Sequence, residues 1–208
     1  AAGRKNERSY QLVKNGNELK RDIEFNLCGV NNAAVAGATG TARETASLSA
    51  FIRTNTSKGG SGGDPTVSGG VVNAARTDGT QRAFTEALLK TVLQAVFTQG
   101  GEPTMLMVGP FNKTQVSGFA GIAAQRYMAP SDSATTIIGA ADVYLSDFGE
   151  VRITPNRFQR ERDAYVLNPD LLSLAVLRPI QNTPLAKTGD ATKELILFEG
   201  GLQVDQQK

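Results

Sequence analysis

The chain has 208 residues, 40% hydrophobic and 20% charged, with a formal net charge of +2. That composition is ordinary for a globular protein, and the charge is too small for bulk electrostatics to argue for nucleic-acid or membrane binding. With no histidine and one cysteine, Cys28, it excludes histidine-dependent triads and zinc sites, internal disulfides and CxxC metal sites.

No apolar run approaches the roughly 18 residues that mark a membrane span. No signal peptide is visible, and the chain begins at Ala1, as a processed or trimmed product would. Without a histidine to activate it, Cys28 reads as a structural thiol.

The first element is one long helix, Glu7 to Cys28. Leu12, Leu19, Ile23 and Leu27 fall on one stripe, which Tyr10, Val13 and Phe25 widen. Lys14, Asn17, Glu18, Lys20, Arg21, Asp22 and Glu24 occupy the other side. Gly16, in the middle, costs on the order of 1 kcal/mol against Ala, so the helix needs tertiary packing. Turn-prone residues follow through Gly40, then a short apolar patch at Leu48, Phe51 and Ile52. Lys58 to Gly70 (KGGSGGDPTVSGG) reads as an exposed, mobile loop. It has neither the GxxxxGK[ST] nor the GxGxxG spacing that cradles phosphate.

Thr85 to Gln99 is the second helix, with Thr85 as N-cap and Phe84 and Leu89 placed as a hydrophobic staple. Its apolar face, Leu88, Leu89, Val92, Leu93, Val96 and Phe97, is wide enough for a mostly buried helix. Gly100-Gly101 ends it. Thr104 to Val108 reads as a short buried strand, and a short helix follows from Phe111 to Phe119.

From Ile137 the period changes to two. Ala141, Val143 and Leu145 alternate with Asp142, Tyr144 and Ser146; beyond the turn Asp147 to Glu150, Val151 and Ile153 alternate with Arg152 and Thr154. This predicts a β-hairpin. Tyr165 to Leu167, Leu171 to Leu177 and Glu194 to Phe198 are further strands, the last two apolar on both faces as central or covered strands are. Pro179, Pro184 and Gly189-Asp190 fall in the loop between them. Helices first and strands last argue an α+β fold with helices against one face of a sheet.

Few residues suggest chemistry. Asp147-Phe148-Gly149 spells the kinase magnesium tripeptide, but no catalytic-loop histidine accompanies it, and a hairpin turn explains it better. Asp142, Asp147, Glu150 and Arg152 could hold Mg²⁺ for phosphodiester cleavage, and the competing reading is a solvated hairpin face. Asn55-Thr56-Ser57 and Asn112-Lys113-Thr114 match the glycosylation sequon by chance. The densest charge cluster is Asn156 to Asp163 (NRFQRERD), where Arg157, Arg160 and Arg162 interleave with Glu161 and Asp163. Alternating signs suit an ion-pair network within the chain or across a subunit boundary, and a solvated loop is the bland alternative. No assembled active site is visible, so no cofactor, metal or enzymatic activity is expected.

Five segments in order resemble the major capsid proteins of tailed double-stranded-DNA bacteriophages, which share the Hong-Kong-97-type shell fold. They are Arg76 to Gln94 (RTDGTQRAFTEALLKTVLQ), Met107 to Lys113 (MVGPFNK), Val143 to Gly149 (VYLSDFG), Pro155 to Pro169 (PNRFQRERDAYVLNP) and Leu174 to Asp190 (LAVLRPIQNTPLAKTGD). The first helix, with ELKRDIE at Glu18 to Glu24, matches in kind and order. The resemblance implies a peripheral domain with the spine helix and Gly-rich loop in residues 1–79, axial-domain helices and strand in 80–140, and a β-rich segment completing both sheets in 141–208. It implies a structural protein that self-assembles in the host cytoplasm into hexamers and pentamers of an icosahedral shell enclosing double-stranded DNA, with non-specific DNA contact and with scaffold, portal or decoration proteins as further partners. Arg157, Arg160, Glu161, Arg162, Asp163, Lys187 and Asp190 become candidate intersubunit contacts. The N-terminal arm and extended loop of such proteins have no counterpart here, and no covalent crosslink pair is predicted. A cellular nanocompartment shell of the same fold, or another phage structural protein, is the alternative, and the magnesium-dependent nuclease a more distant one.

Overall fold

A computed structural model describes residues 6–119 and 142–205. Ile137 to Ala141, where the alternation begins, lie outside the described residues.

The fold is α+β, organised on a four-stranded sheet in the order β4-β5-β3-β6. One of its two interior strands is β3 (Met105–Val108), parallel to the other, β5 (Gly149–Pro155), on one edge and antiparallel to β6 (Ala164–Leu167) on the other. Side chains of a strand alternate between faces. Leu106 and Val108 enter one core with Leu89, Leu93, Val116, Tyr144, Val151 and Ile153. Met107 enters a second core on the other face, with Cys28, Leu48, Tyr165 and Leu167. Both faces are covered, which is why the strand is apolar at every position.

Helix α3 (Glu86–Thr98) and helix α4 (Pro110–Ser117) cover the first face. Thr85 occupies the N-cap position of α3, but its side chain makes no capping bond. The buried part of α3 is narrower than its sequence suggests: Leu89 and Leu93 are buried, Leu88, Val92 and Val96 half-buried, and Phe97 exposed.

The hairpin forms as its pattern predicts, between β4 (Val143–Ser146) and β5. The turn fixes Tyr144 opposite Val151, and directly opposed residues share a face. Since Val151 is buried, Tyr144 turns inward with it, 5% exposed, while Leu145 is 77% exposed.

Helix α1 (Glu7–Glu24) begins at Asn6, whose Oδ1 accepts from the Arg8 and Ser9 amides. It passes into a π-helical turn, Phe25–Gly29, so the helical run extends one residue past the predicted end. A Cβ on Gly29 would lie 2.5 Å from the Phe158 carbonyl, so only glycine permits this close approach. The predicted stripe of Leu12, Leu19, Ile23 and Leu27 is half-buried, and no residue of α1 is fully buried.

Two expectations need correction. The segment Lys58 to Gly70 is not a free loop. Its end forms β1 (Thr66–Ser68), paired with β2 (Val71–Ala74) across the left-handed Gly69-Gly70 turn, and Val72 is buried in a third core with Ala46 and Ala50 beside the short α2 (Leu48–Phe51). Its earlier glycines lie where two backbones cross: a Cβ on Gly59 would sit 2.0 Å from the Thr80 carbonyl oxygen, and one on Gly79 2.6 Å from that of Gly59. The Thr80 amide donates to Gly60 at 2.8 Å, and Gly63 and Thr77 exchange amide bonds. Glycine here permits backbone packing rather than freedom.

The second correction concerns the last strands. β7 (Leu172–Pro184) and β8 (Glu194–Val204) are longer than expected, and Pro179 and Pro184 lie within β7 rather than in the loop. They form a separate two-stranded antiparallel ribbon, not the centre of a sheet. Every residue of β7 after Leu172 is exposed. The alternation could not reveal this, because apolar content on both faces marks burial by any neighbour, including one outside the chain.

Candidate functional site

The charged loop NRFQRERD is pinned from several sides. Asn156 receives the end of β5, its amide donating to the Val108 carbonyl at 2.9 Å while its side chain donates to Glu24 of α1. Gln159 is 4% exposed, and its Nε2 donates to the carbonyls of Met107 (3.2 Å) and Asp163 (2.8 Å). The Arg160 amide donates to the Cys28 carbonyl at 3.3 Å, and Asn112 Nδ2 to that of Glu161 at 2.7 Å.

The guanidiniums then organise the surroundings. Arg160, with its side chain 14% exposed, donates to Asp78 and lies 3.3 Å from Asp163. Arg162 contacts the same Asp78 oxygen at 3.1 Å and donates to the Gly79 carbonyl at 2.7 Å. One carboxylate, carried by the glycine crossing, therefore clamps two arginines. Tyr165 donates to Asp163 at 3.0 Å, and burial followed by the Asp163 charge pushes its hydroxyl pKa up. Burial, reinforced by Glu24, pushes the Cys28 thiol up to about 12, so it is protonated and unreactive at neutral pH. Arg160, Arg162 and Asp163 thus enter a network within the chain, while Arg157, Glu161, Lys187 and Asp190 are exposed.

Local spacing did not identify Asp78. It lies 82 positions from Arg160, and its one sequence signal is membership of the RTDGTQ segment.

The whole chain, residues 1–208, matches the family described as SU10 major capsid protein. The chain belongs to that family. It is a bacteriophage major capsid protein, a structural component of the virion. No curated protein matches it.

The remaining candidates fit a structural capsid protein. Asp142 pairs with Lys113 at 3.2 Å on the surface, Asp147 and Glu150 are exposed, and no group of three His, Cys, Asp or Glu able to hold a metal occurs among the described residues. Asp147-Phe148-Gly149 is the turn of the hairpin: Ser146 Oγ accepts from the Phe148 amide and donates to Gly149, and the Phe148 ring lies 4.9 Å from that of Phe97. Asn112 is buried in α4, so its sequon offers no accessible amide. A cavity of about 580 Å³ beside α3 is lined by apolar Leu88, Val92, Val96, Leu106 and Val166 together with charged residues that include Arg76, Asp78, Arg82 and Glu102.

Proposed function

We propose that this capsid protein adopts the Hong-Kong-97-type arrangement and assembles into hexamers and pentamers that close an icosahedral shell around double-stranded DNA. The whole-chain family match is the observation that carries this reading. In this layout residues 1–79 supply the spine helix and glycine crossing of a peripheral domain, 80–140 the axial domain, and 141–208 strands completing both sheets. Assembly takes place in the host cytoplasm, with scaffold, portal or decoration proteins as further partners.

The exposed charges fit such a role. Shells rest on many weak, reversible contacts of fixed geometry, which mixed-sign surfaces supply. Arg157, Glu161, Lys187 and Asp190 are the direct contacts in this reading. Arg160, Arg162 and Asp163 act by holding the loop in shape for a neighbour. A net charge of +2 limits repulsion among copies and makes DNA contact non-specific.

Electron microscopy of the purified protein, with sedimentation of the same sample, tests this reading. Closed shells or six- and five-membered rings are expected, whereas a stable monomer at assembly concentrations overturns it. Reversing one charge by Lys187→Glu lowers shell yield, and the double change with Asp190→Lys restores it.

A further inference from the structure

Helix α3 is apolar over more of its surface than the core uses. Leu89 and Leu93 are buried in the first-face core, while Leu88, Val92 and Val96 are half-buried. Those three, with Val166 of β6, line the cavity of about 580 Å³. Its volume falls in the range of about 300–1,000 Å³ that small-molecule sites span. At about 30 Å³ per water-sized group it has room for roughly 19 of them, enough for one alkyl chain with its head group and too little for a two-chain lipid.

A second wall of the cavity is polar, and its charge is one-sided. Residues 53–59 and 76–83 contribute Arg53, Lys58, Arg76 and Arg82 against one acid, Asp78. Asp78 is taken by Arg160 and Arg162, and Lys58 pairs with Asp64. Arg76 Nη2 donates to the Ile52 carbonyl at 2.6 Å, and Arg82 Nη2 donates to Ser57 Oγ at 2.6 Å. Both guanidiniums are thus fixed to the stretch Ile52 to Ser57 with donors to spare. The Arg76 Nε is buried and has no hydrogen-bond partner among the described residues. Asp64 is close enough to feel the Arg76 charge, but its oxygens accept from Lys58 and Thr56. The other acids of the lining do not compensate: Asp163 pairs with Arg160 and Tyr165, and Glu102 and Glu161 are exposed.

A buried donor left unpaired is destabilising, so the Arg76 Nε calls for an acceptor. A planar carboxylate is the head group that a guanidinium fork recognises best. The apolar wall of α3 sets the other end of the ligand. A peptide laid along it would bring backbone donors and acceptors that Leu88, Val92 and Val96 cannot satisfy, whereas an alkyl chain brings none.

We propose that the cavity beside α3 binds a single-chain aliphatic carboxylate, its tail along Leu88, Val92 and Val96 and its head on Arg76 and Arg82. This goes beyond the shell-assembly reading and does not rest on it.

Isothermal titration of the full chain with decanoate, and separately with decan-1-ol, tests the site without any substitution. Saturable binding of one decanoate per chain is expected, at least tenfold tighter than decan-1-ol, the size of effect one charge-assisted hydrogen bond gives. No saturable binding would leave the cavity to a neighbouring chain and overturns the proposal. Equal affinity for the two ligands, or many decanoates per chain, overturns it as well. Arg76→Gln then separates head from tail: decanoate weakens about tenfold and decan-1-ol is unchanged. Equal loss of both ligands traces the effect to the fold and overturns the assignment of the head to Arg76. Val92→Trp fills the tail site and abolishes binding of both. A Val92→Trp chain that keeps its native circular dichroism and still binds decanoate normally overturns the placement of the tail.

Discussion

The strands β3 and β7 are both apolar, and only one of them is buried. β3 has a hydrogen-bonded neighbour on each edge and a core on each face, so Leu106 is 0% exposed. β7 has one neighbour, and its side chains meet solvent. Apolar content states that a strand needs covering. Whether the cover lies in the same chain is decided by topology, and in a protein that functions as one copy among many it can come from another subunit.

This contrast is sharpest in a pair of truncations. Leu106→Ala opens a cavity in a close-packed core and costs the folded subunit about 3–5 kcal/mol, read from urea unfolding. Leu177→Ala removes a side chain already in water and costs the isolated subunit less than about 0.5 kcal/mol. Similar losses from both would end the distinction between the regions.

The glycine crossing behaves like core despite its composition. Gly59→Ala forces a methyl against the Thr80 carbonyl and destabilises by about 1–3 kcal/mol. Asp78→Asn takes the shared carboxylate from Arg160 and Arg162. With partial solvent screening the cost is about 1–2 kcal/mol, and it falls at high salt. Gly16 is the counterpart on α1, where a Cβ meets nothing within 4 Å. There Gly16→Ala stabilises by about 0.5–1 kcal/mol, measured by thermal unfolding.

The smallest effect at neutral pH concerns Cys28, at the joint between the two regions. Its folded pKa is raised from 9.0 to about 12, so folding favours the protonated thiol. That contribution is complete below pH 9.0 and is lost as pH rises toward about 12, because the unfolded chain releases its proton first. Stability therefore declines over that window, and Cys28→Ala flattens part of the slope. The two tyrosines with raised pKa, Tyr144 and Tyr165, contribute in the same direction.

Much of the architecture was legible in the residues. α1, α3, β3 and the β4–β5 hairpin follow from local periodicity, where the sequence spacing and the physical contact coincide. The inward turn of Tyr144 is a cross-strand effect set by its register with Val151. The hidden features are long-range. Nothing near Gly59 announces that Thr80 will cross it, and nothing near Arg160 names Asp78. Part of the candidate loop was visible as mixed charge, but whether each charge turns inward or outward depends on segments more than 80 positions away. Pro179 misled because proline usually ends a strand, whereas a free edge tolerates it.

The ribbon also has a mechanical consequence. It is held at its base, where Leu172 and Leu202 pack on the second core and Thr45 lies over Gly201. Near its far end Arg8 ties Glu194 to the start of α1. Helix and ribbon therefore form a strut roughly 40 Å long on a narrow footing. By simple leverage, a tilt of about 10° at the footing carries the tip about 7 Å over that length. The tip can then swing while the adjustment stays confined to a few residues at the pivot.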